Sequence, residues 1–186
     1  MKMKFLIGCV LLFAISICHA QEENVDELKA KLGMEKNDSI KTEILLKISK
    51  TYLSSEPNDA IPYATEAKEL AQKINFRRGS AQALKNIGIA YYQQSRYIEA
   101  LENWNQSLAE YESIKDLVGI ANLQSNIGAI YKNQGNDSKA LEYLFNSLRN
   151  SEQTGDKFRI TSALINIGSV YQHKIATNDK ALEYFL

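Results

Sequence analysis

Three sets of polar residues recur in step along this 186-residue chain, and they are where its chemistry would lie. Gln82, Asn86, Ile89 and Gln93 are followed forty residues later by Asn122, Asn126, Ala129 and Asn133. Forty further on come Ser162, Asn166, Ser169 and His173. At about 100° per residue, each set of four lies within about 60° on one helical face. An amide side chain offers a donor and an acceptor together, so it can pair with an extended backbone. Asn86, Asn126 and Asn166 would then form a ladder, one rung per repeat. The same spacing fits a second role, in which each asparagine packs between adjacent helices and bonds across them. The residues leave both roles open.

Other chemistry is hard to find. There is no G-x-x-x-x-G-K, G-x-G-x-x-G or H-E-x-x-H motif. A serine triad needs a histidine base, and His173 is the one histidine left once the leader described below is removed. It sits near a helix end and reads as solvated. Glu110 with Glu112, like Glu22-Glu23, reads as a solvated polar face. Tyr52, Tyr91, Tyr131 and Tyr171 follow the core period and read as packing residues rather than a platform for bases. The Asn-x-Ser triplets at Asn37, Asn105 and Asn136 read as chance. No catalytic residue, cofactor or metal site is expected.

Composition agrees. Lys+Arg and Asp+Glu both number 22, so the broad basic field that nucleic-acid binding needs is missing. Hydrophobic residues make up 45% and charged residues 24%, which suits a globular chain rather than a disordered one. Nine glycines and two prolines are few for a turn-rich β fold. The expected fold is all-α.

The elements that hold the polar sets in place are themselves repeated. Ala81 to Tyr91 recurs as Ala121 to Tyr131 and as Thr161 to Tyr171, each carrying Asn-Ile-Gly. Downstream, Glu99-Ala-Leu-Glu matches Lys139-Ala-Leu-Glu and Lys180-Ala-Leu-Glu. A worn copy precedes them, with Ile48, Tyr52, Ala60, Tyr63 and Ala67 at corresponding places. Each unit reads as two helices. Leu84, Ile87, Gly88 and Tyr91 share one face of the first; Ala100, Leu101, Trp104, Ser107, Leu108 and Tyr111 lie on the second. Gln94-Ser95-Arg96 and Asn133 to Asp137 break the pattern, with Gly135 as a left-handed cap. Small residues at Gly88 and Ala100 allow close helix approach. One pair cannot bury its own apolar face, so units must stack.

These residues resemble the tetratricopeptide repeat family. The marks are Ile87-Gly88, Ile127-Gly128 and Ile167-Gly168, then Tyr91, Tyr131 and Tyr171. Next come Ala100, Ala140 and Ala181, each with a large residue four on, Trp104, Leu144 and Phe185. The resemblance spans about residues 40–186. Two features depart from the family: the period is 40 rather than about 34, and the proline that closes the second helix is missing. The resemblance implies a right-handed α-solenoid whose first helices line a concave groove that binds a protein or peptide. It also implies that the polar face of Gln82, Asn86, Ile89, Gln93, Asn122, Asn126, Asn133, Ser162, Asn166, Ser169 and His173 lines that groove. Members that grip a terminal carboxylate carry a ring of Lys and Arg. Lys85 and Lys132 fall at the edge of the stripe, so no such clamp is expected.

The expected organisation is a signal peptide over 1–20, an acidic lead-in over 21–39, a degenerate repeat over 40–79, repeats over 80–119 and 120–159, and an incomplete repeat over 160–186. Lys2 and Lys4, the apolar run Phe5 to Ile17, and Ala20 describe a secretory leader cut after Ala20. Cleavage removes Cys9, Cys18, His19 and the two lysines, leaving a thiol-free chain at −2. In the lead-in, Val25, Leu28 and Leu32 make a short helix for the first repeat, and Asn37-Asp38-Ser39 cap the next one.

Leu186 falls about two turns into a helix, so the chain reads as part of a longer protein with an uncapped last repeat open to self-association. The expected function is an exported interaction module. Its setting would be the extracytoplasmic sensory part of a bacterial membrane signalling protein, whose membrane span and kinase or nucleotide cyclase output lie outside this sequence. The rival is a soluble periplasmic or envelope-associated scaffold with no output domain.

Overall fold

A computed structural model of the chain describes residues 24–172 and 178–185. The predicted leader, His173 and Leu186 lie outside the described residues. Among those described there are nine helices and no strand. A short lead helix α1 (Val25–Met34) comes first. Four helix pairs follow: α2 (Asp38–Leu53) with α3 (Pro57–Lys73), α4 (Arg77–Gln93) with α5 (Tyr97–Ser113), α6 (Leu117–Asn133) with α7 (Asp137–Thr154), and α8 (Lys157–Gln172) with α9 (Asn178–Phe185).

The period of 40 resolves into halves of twenty. Helices α3 to α6 are each 17 residues long and start twenty residues apart. Positive φ angles fall on Asn75, Ser95, Lys115, Gly135 and Gly155, also twenty apart. Every one of these turns therefore uses one left-handed residue, and only two of the five give it to glycine. Gly135 is the cap expected from the sequence. Ser95 and Lys115 hold the same geometry against the usual clash of a Cβ with the following carbonyl.

Packing follows the small residues. A Cβ on Gly88 would collide with the indole of Trp104, and one on Gly119 with the ring of Tyr111. Ala60, Ala64, Ala67 and Ala71 of α3 are fully buried. Trp104 is 2% exposed and donates its indole N–H to the Lys85 carbonyl at 3.1 Å. Within each central pair a buried serine ties the two helices. Ser107 Oγ donates to the Ala81 carbonyl (2.6 Å), and Ser147 Oγ to that of Ala121 (2.8 Å). The apolar core runs continuously from pair to pair, around Ala100, Trp104, Ile120, Leu123 and Ile127 in the middle. At the N-terminal end α1 sets Leu28 against Ile44 and Ile48. Asn37 caps α2 by accepting from the Ser39 and Ile40 amides.

The repeated tyrosines do more than fill space. Tyr52 stacks on Tyr63, Tyr131 on Tyr143 and Tyr171 on Tyr184, with centroids 5.5 to 5.7 Å apart. A cation covers each pair: Lys29, Lys139 and Lys180 in turn. In the second pair of helices Arg96 covers Tyr91 at 4.4 Å.

The direction of curvature follows from the contacts between like helices. The first helices of neighbouring pairs meet, α2 against α4 and α6 against α8 by close packing and α4 against α6 through the Tyr92 and Asn133 side chains, while no two second helices pack comparably among the described residues. The array therefore closes toward α2, α4, α6 and α8, whose outward-facing residues line the inner side.

Candidate functional site

The inner stripe of α4 runs through Arg78, Gln82, Lys85, Ile89 and Tyr92. These residues keep some exposure, while Ala81, Ala83, Leu84, Asn86, Ile87, Gly88 and Ala90 are buried. The expected stripe of 82, 86, 89 and 93 is thus displaced by one residue at two of its four places. Lys85 and Lys132, expected at the edge, lie in the stripe itself. The apolar pattern of a single helix underdetermines this rotation. The contact of α4 with α2 covers a flank that an isolated helix would leave open.

Asn86 is 3% exposed. Its Nδ2 donates to the Leu46 carbonyl (3.5 Å) and to Ser49 Oγ (3.4 Å), both on α2. Asn166 is half-buried, and its Nδ2 donates to Ser125 Oγ on α6 at 3.2 Å. Asn126, the middle rung, is also half-buried and makes no side-chain hydrogen bond among the described residues. Two rungs of the ladder bridge helices and one faces the groove.

The remaining stripe residues divide the same way. Asn122 accepts from Arg159 Nε at 3.1 Å. Asn133 donates to the Tyr92 hydroxyl at 3.0 Å. Ser169 accepts from Lys132 Nζ (3.2 Å) and donates to the Asn166 carbonyl. Ser162 bonds back to the Phe158 carbonyl of its own helix. Gln82 and Ile89 are half-buried and Gln93 is exposed. The pairs that meet across neighbouring inner helices are 37 to 41 residues apart, as in Arg159 with Asn122 and Asn166 with Ser125. At the same separations from Lys85, 37 and 41 residues on, stand Asn122 and Asn126.

Charge accumulates on this face although the chain as a whole is neutral. Lys85 is half-buried, and its proton affinity is lowered first by burial and then by repulsion from Lys50 and Arg159, against a weaker pull from Asp116. Arg78 grips Asp116 through Nε (3.1 Å) and Nη2 (2.8 Å). Asp116 in turn caps α6 by accepting from the Gly119 amide at 3.0 Å. Burial pushes the Asp116 carboxyl up, but the Gly119 amide and Arg78 hold it below the usual range. Arg159 is fixed by Asp156 on one side and Asn122 on the other. Sequence reasoning passed over Arg78 and Arg159. The signal that could have found Arg159 is a break in the repeat, since the corresponding residues are Gly79 and Gly119.

Among the described residues no group of three or more His, Cys, Asp or Glu could hold a metal ion. No helix among them is long and apolar enough to cross a membrane.

Comparison with known proteins places the fold. A Rap protein complexed with Competence and Sporulation Factor superposes with a TM-score of 0.77 at 20% identity, over 86% of this chain and 46% of that one. A Rap conjugation gene regulator in complex with a Phr peptide gives 0.70 at 16% identity, over 86% and 45%. A signal-transduction ATPase with numerous domains and a tetratricopeptide repeat sensor, from Pyrococcus horikoshii, gives 0.74 at 22%, over 92% and 27%. The chain therefore spans less than half the length of each of these proteins. No family description and no curated protein matches the sequence. At these identities the likeness shows the fold, a tetratricopeptide-like α-solenoid.

Proposed function

We propose that the chain is a protein-interaction module whose concave face binds a peptide in extended form. The observation that carries this reading is the set of inner polar groups that the fold leaves without partners, Gln82, Lys85 and Asn126, beside inner amides already engaged by neighbouring helices, Asn86, Asn122, Asn133 and Asn166. A polar group held on a concave surface and unpaired by the protein is available to a ligand backbone. The Phr-peptide complex of a Rap regulator supports the reading by likeness of fold. No catalysis is assigned to these residues.

The wider setting is also proposed: export, and service as the extracytoplasmic sensor of a bacterial membrane signalling protein. Support comes from the leader pattern of residues 1–20, and a tetratricopeptide sensor within a signalling ATPase of like fold is in keeping with it. In the rival setting, a soluble envelope scaffold, the groove would be the same and no output would follow it. Two experiments test the proposal. Panning the mature protein against a random peptide library should return ligands that no longer bind when Gln82 and Asn126 are both replaced by Ala; an empty selection sinks the groove reading. Fusing residues 1–30 to alkaline phosphatase, which is active only outside the cytoplasm, should give active enzyme in a bacterial host. An inactive fusion defeats export.

A further inference from the structure

We infer that Lys85 and Arg159, with Asn122 between them, form an anion site in the groove that takes an acidic side chain from the middle of an extended peptide. This rests on the peptide-groove reading and narrows it to one ligand chemistry.

Departures from the repeat are the first reason. The place of Lys85 is held by Leu46, buried, in the first unit, by Ser125, bonded to Asn166, in the third, and by Ile165 in the fourth. The place of Arg159 is held by glycine in the second and third units. There a Cβ would collide with the ring of Phe76 at Gly79 and of Tyr111 at Gly119. In the fourth unit Ser151 stands where Tyr111 stood, and the space allows a larger side chain. Packing explains the glycines and the room. It does not explain why the room holds a guanidinium.

Partnering is the second reason. Lys85 makes no hydrogen bond or ion pair among the described residues although it is half-buried. The charged groups facing it are Lys50 from α2, Arg159 from α8 and Asp116 at the start of α6. Asp116 is already committed to Arg78 and to the Gly119 amide. The ammonium is thus partly desolvated, set among like charges and short of a counter-ion, as burial and repulsion both show in its lowered proton affinity. A guest carboxylate would supply the missing charge through charge-assisted hydrogen bonds. Arg159 is already oriented by Asp156 and Asn122, so little side-chain freedom is lost on binding.

Position in the array is the third reason. The site spans α4, α6 and α8, and the inner face of α2 extends the groove past Lys85. A nonapeptide, about 30 Å when extended, is long enough to continue past the site over α2, which favours an internal Asp or Glu over a terminal carboxylate.

The test uses residues 21–186 and three degenerate nonapeptide pools. Two are acetylated and amidated and differ only in a central Glu or Gln. The third has a central Gln and a free C-terminal carboxylate. By fluorescence anisotropy the Glu pool should bind about tenfold more tightly than the capped Gln pool, the scale of a charged hydrogen bond. Lys85→Met should abolish the preference, Arg159→Gln reduce it, and Lys36→Met, exposed between α1 and α2 and away from the groove, leave it intact. Equal binding of the capped pools overturns the anion site while the groove reading stands. No binding of any pool overturns both. A preference confined to the free carboxylate, or one that survives Lys85→Met, also overturns the site. Should Lys85→Met fail to fold, side-chain NMR of wild-type lysines decides: the Lys85 proton affinity should rise with the Glu pool and not with the Gln pool, and an equal response to both overturns the site.

Discussion

Asn86 and Asn126 occupy equivalent places in consecutive repeats, yet one is sealed between helices and the other faces the groove unpartnered. What differs is the junction around each. Before α4, the buried residues of α3 include Ala71, and α4 settles close enough to α2 for Asn86 to reach the Leu46 carbonyl. Before α6, the place of Ala71 is taken by Tyr111, whose ring lies on Gly119. Across this wider junction Gly88 stands where Ser49 stood and the Lys85 carbonyl already accepts from Trp104, so no bridge from Asn126 to α4 forms. An identical residue on an identical motif thus becomes structural in one repeat and available in the next. The neighbour across the junction decides which.

The strongest way to break this comparison is to overfill the second junction. Gly119→Leu drives a side chain into the Tyr111 ring and should cost about 2–3 kcal/mol by urea denaturation. Pairing it with Tyr111→Ala should recover a good part of the loss, because the two side chains compete for one volume. Without any recovery, Tyr111 is not what holds the junction.

A second experiment compares the rungs directly. Asn86→Ala removes a buried bridge and should destabilise by about 1 kcal/mol, at the lower end because its bonds are long. Asn126→Ala should change stability by less than about 0.5 kcal/mol. Equal losses would mean that the middle rung is structural after all.

The turns offer a gain of similar size. Lys115→Gly relieves a left-handed lysine and should stabilise the fold by about 1 kcal/mol, whereas Gly155→Ala at the equivalent turn should destabilise it. Thermal melts of the two variants must move in opposite directions.

The smallest expected effects depend on pH. The folded-state pKa of Lys85 lies below its unfolded value of 10.5, so the charged form opposes folding at neutral pH. That opposition fades as pH rises through the folded value toward 10.5. Lys85→Met should therefore be more stable than wild type near pH 7, and the gap should close in alkali. Asp116 has the opposite sign. Its folded pKa is depressed, so its contribution is present above about 3.8 and is lost as pH falls through the folded value. The stability difference between wild type and Asp116→Asn should vanish in acid; a constant difference would show that the Arg78 contact adds nothing.

Much of this was legible in the residues. The period of 40, the two-helix unit, the Gly88 and Trp104 contact, the cap at Asn37 and the left-handed Gly135 all follow from local pattern, because helix periodicity and turn chemistry are properties of short stretches of chain. The polar stripe was legible to within one residue. The amphipathic face marks a helix's side and not its angle against a neighbour. The Tyr–Tyr–cation stacks and the buried Ser107 and Ser147 bonds went unread, since each joins residues on different helices.

The sequence alone therefore determined that the chain is a stack of helix pairs, since burying a repeated apolar face admits few other solutions. Only the tertiary structure decided which inner residues have partners within the chain. A hydrogen bond across a junction depends on how closely two helices approach. Side-chain volumes on a third helix set that distance, and no single repeat contains the information.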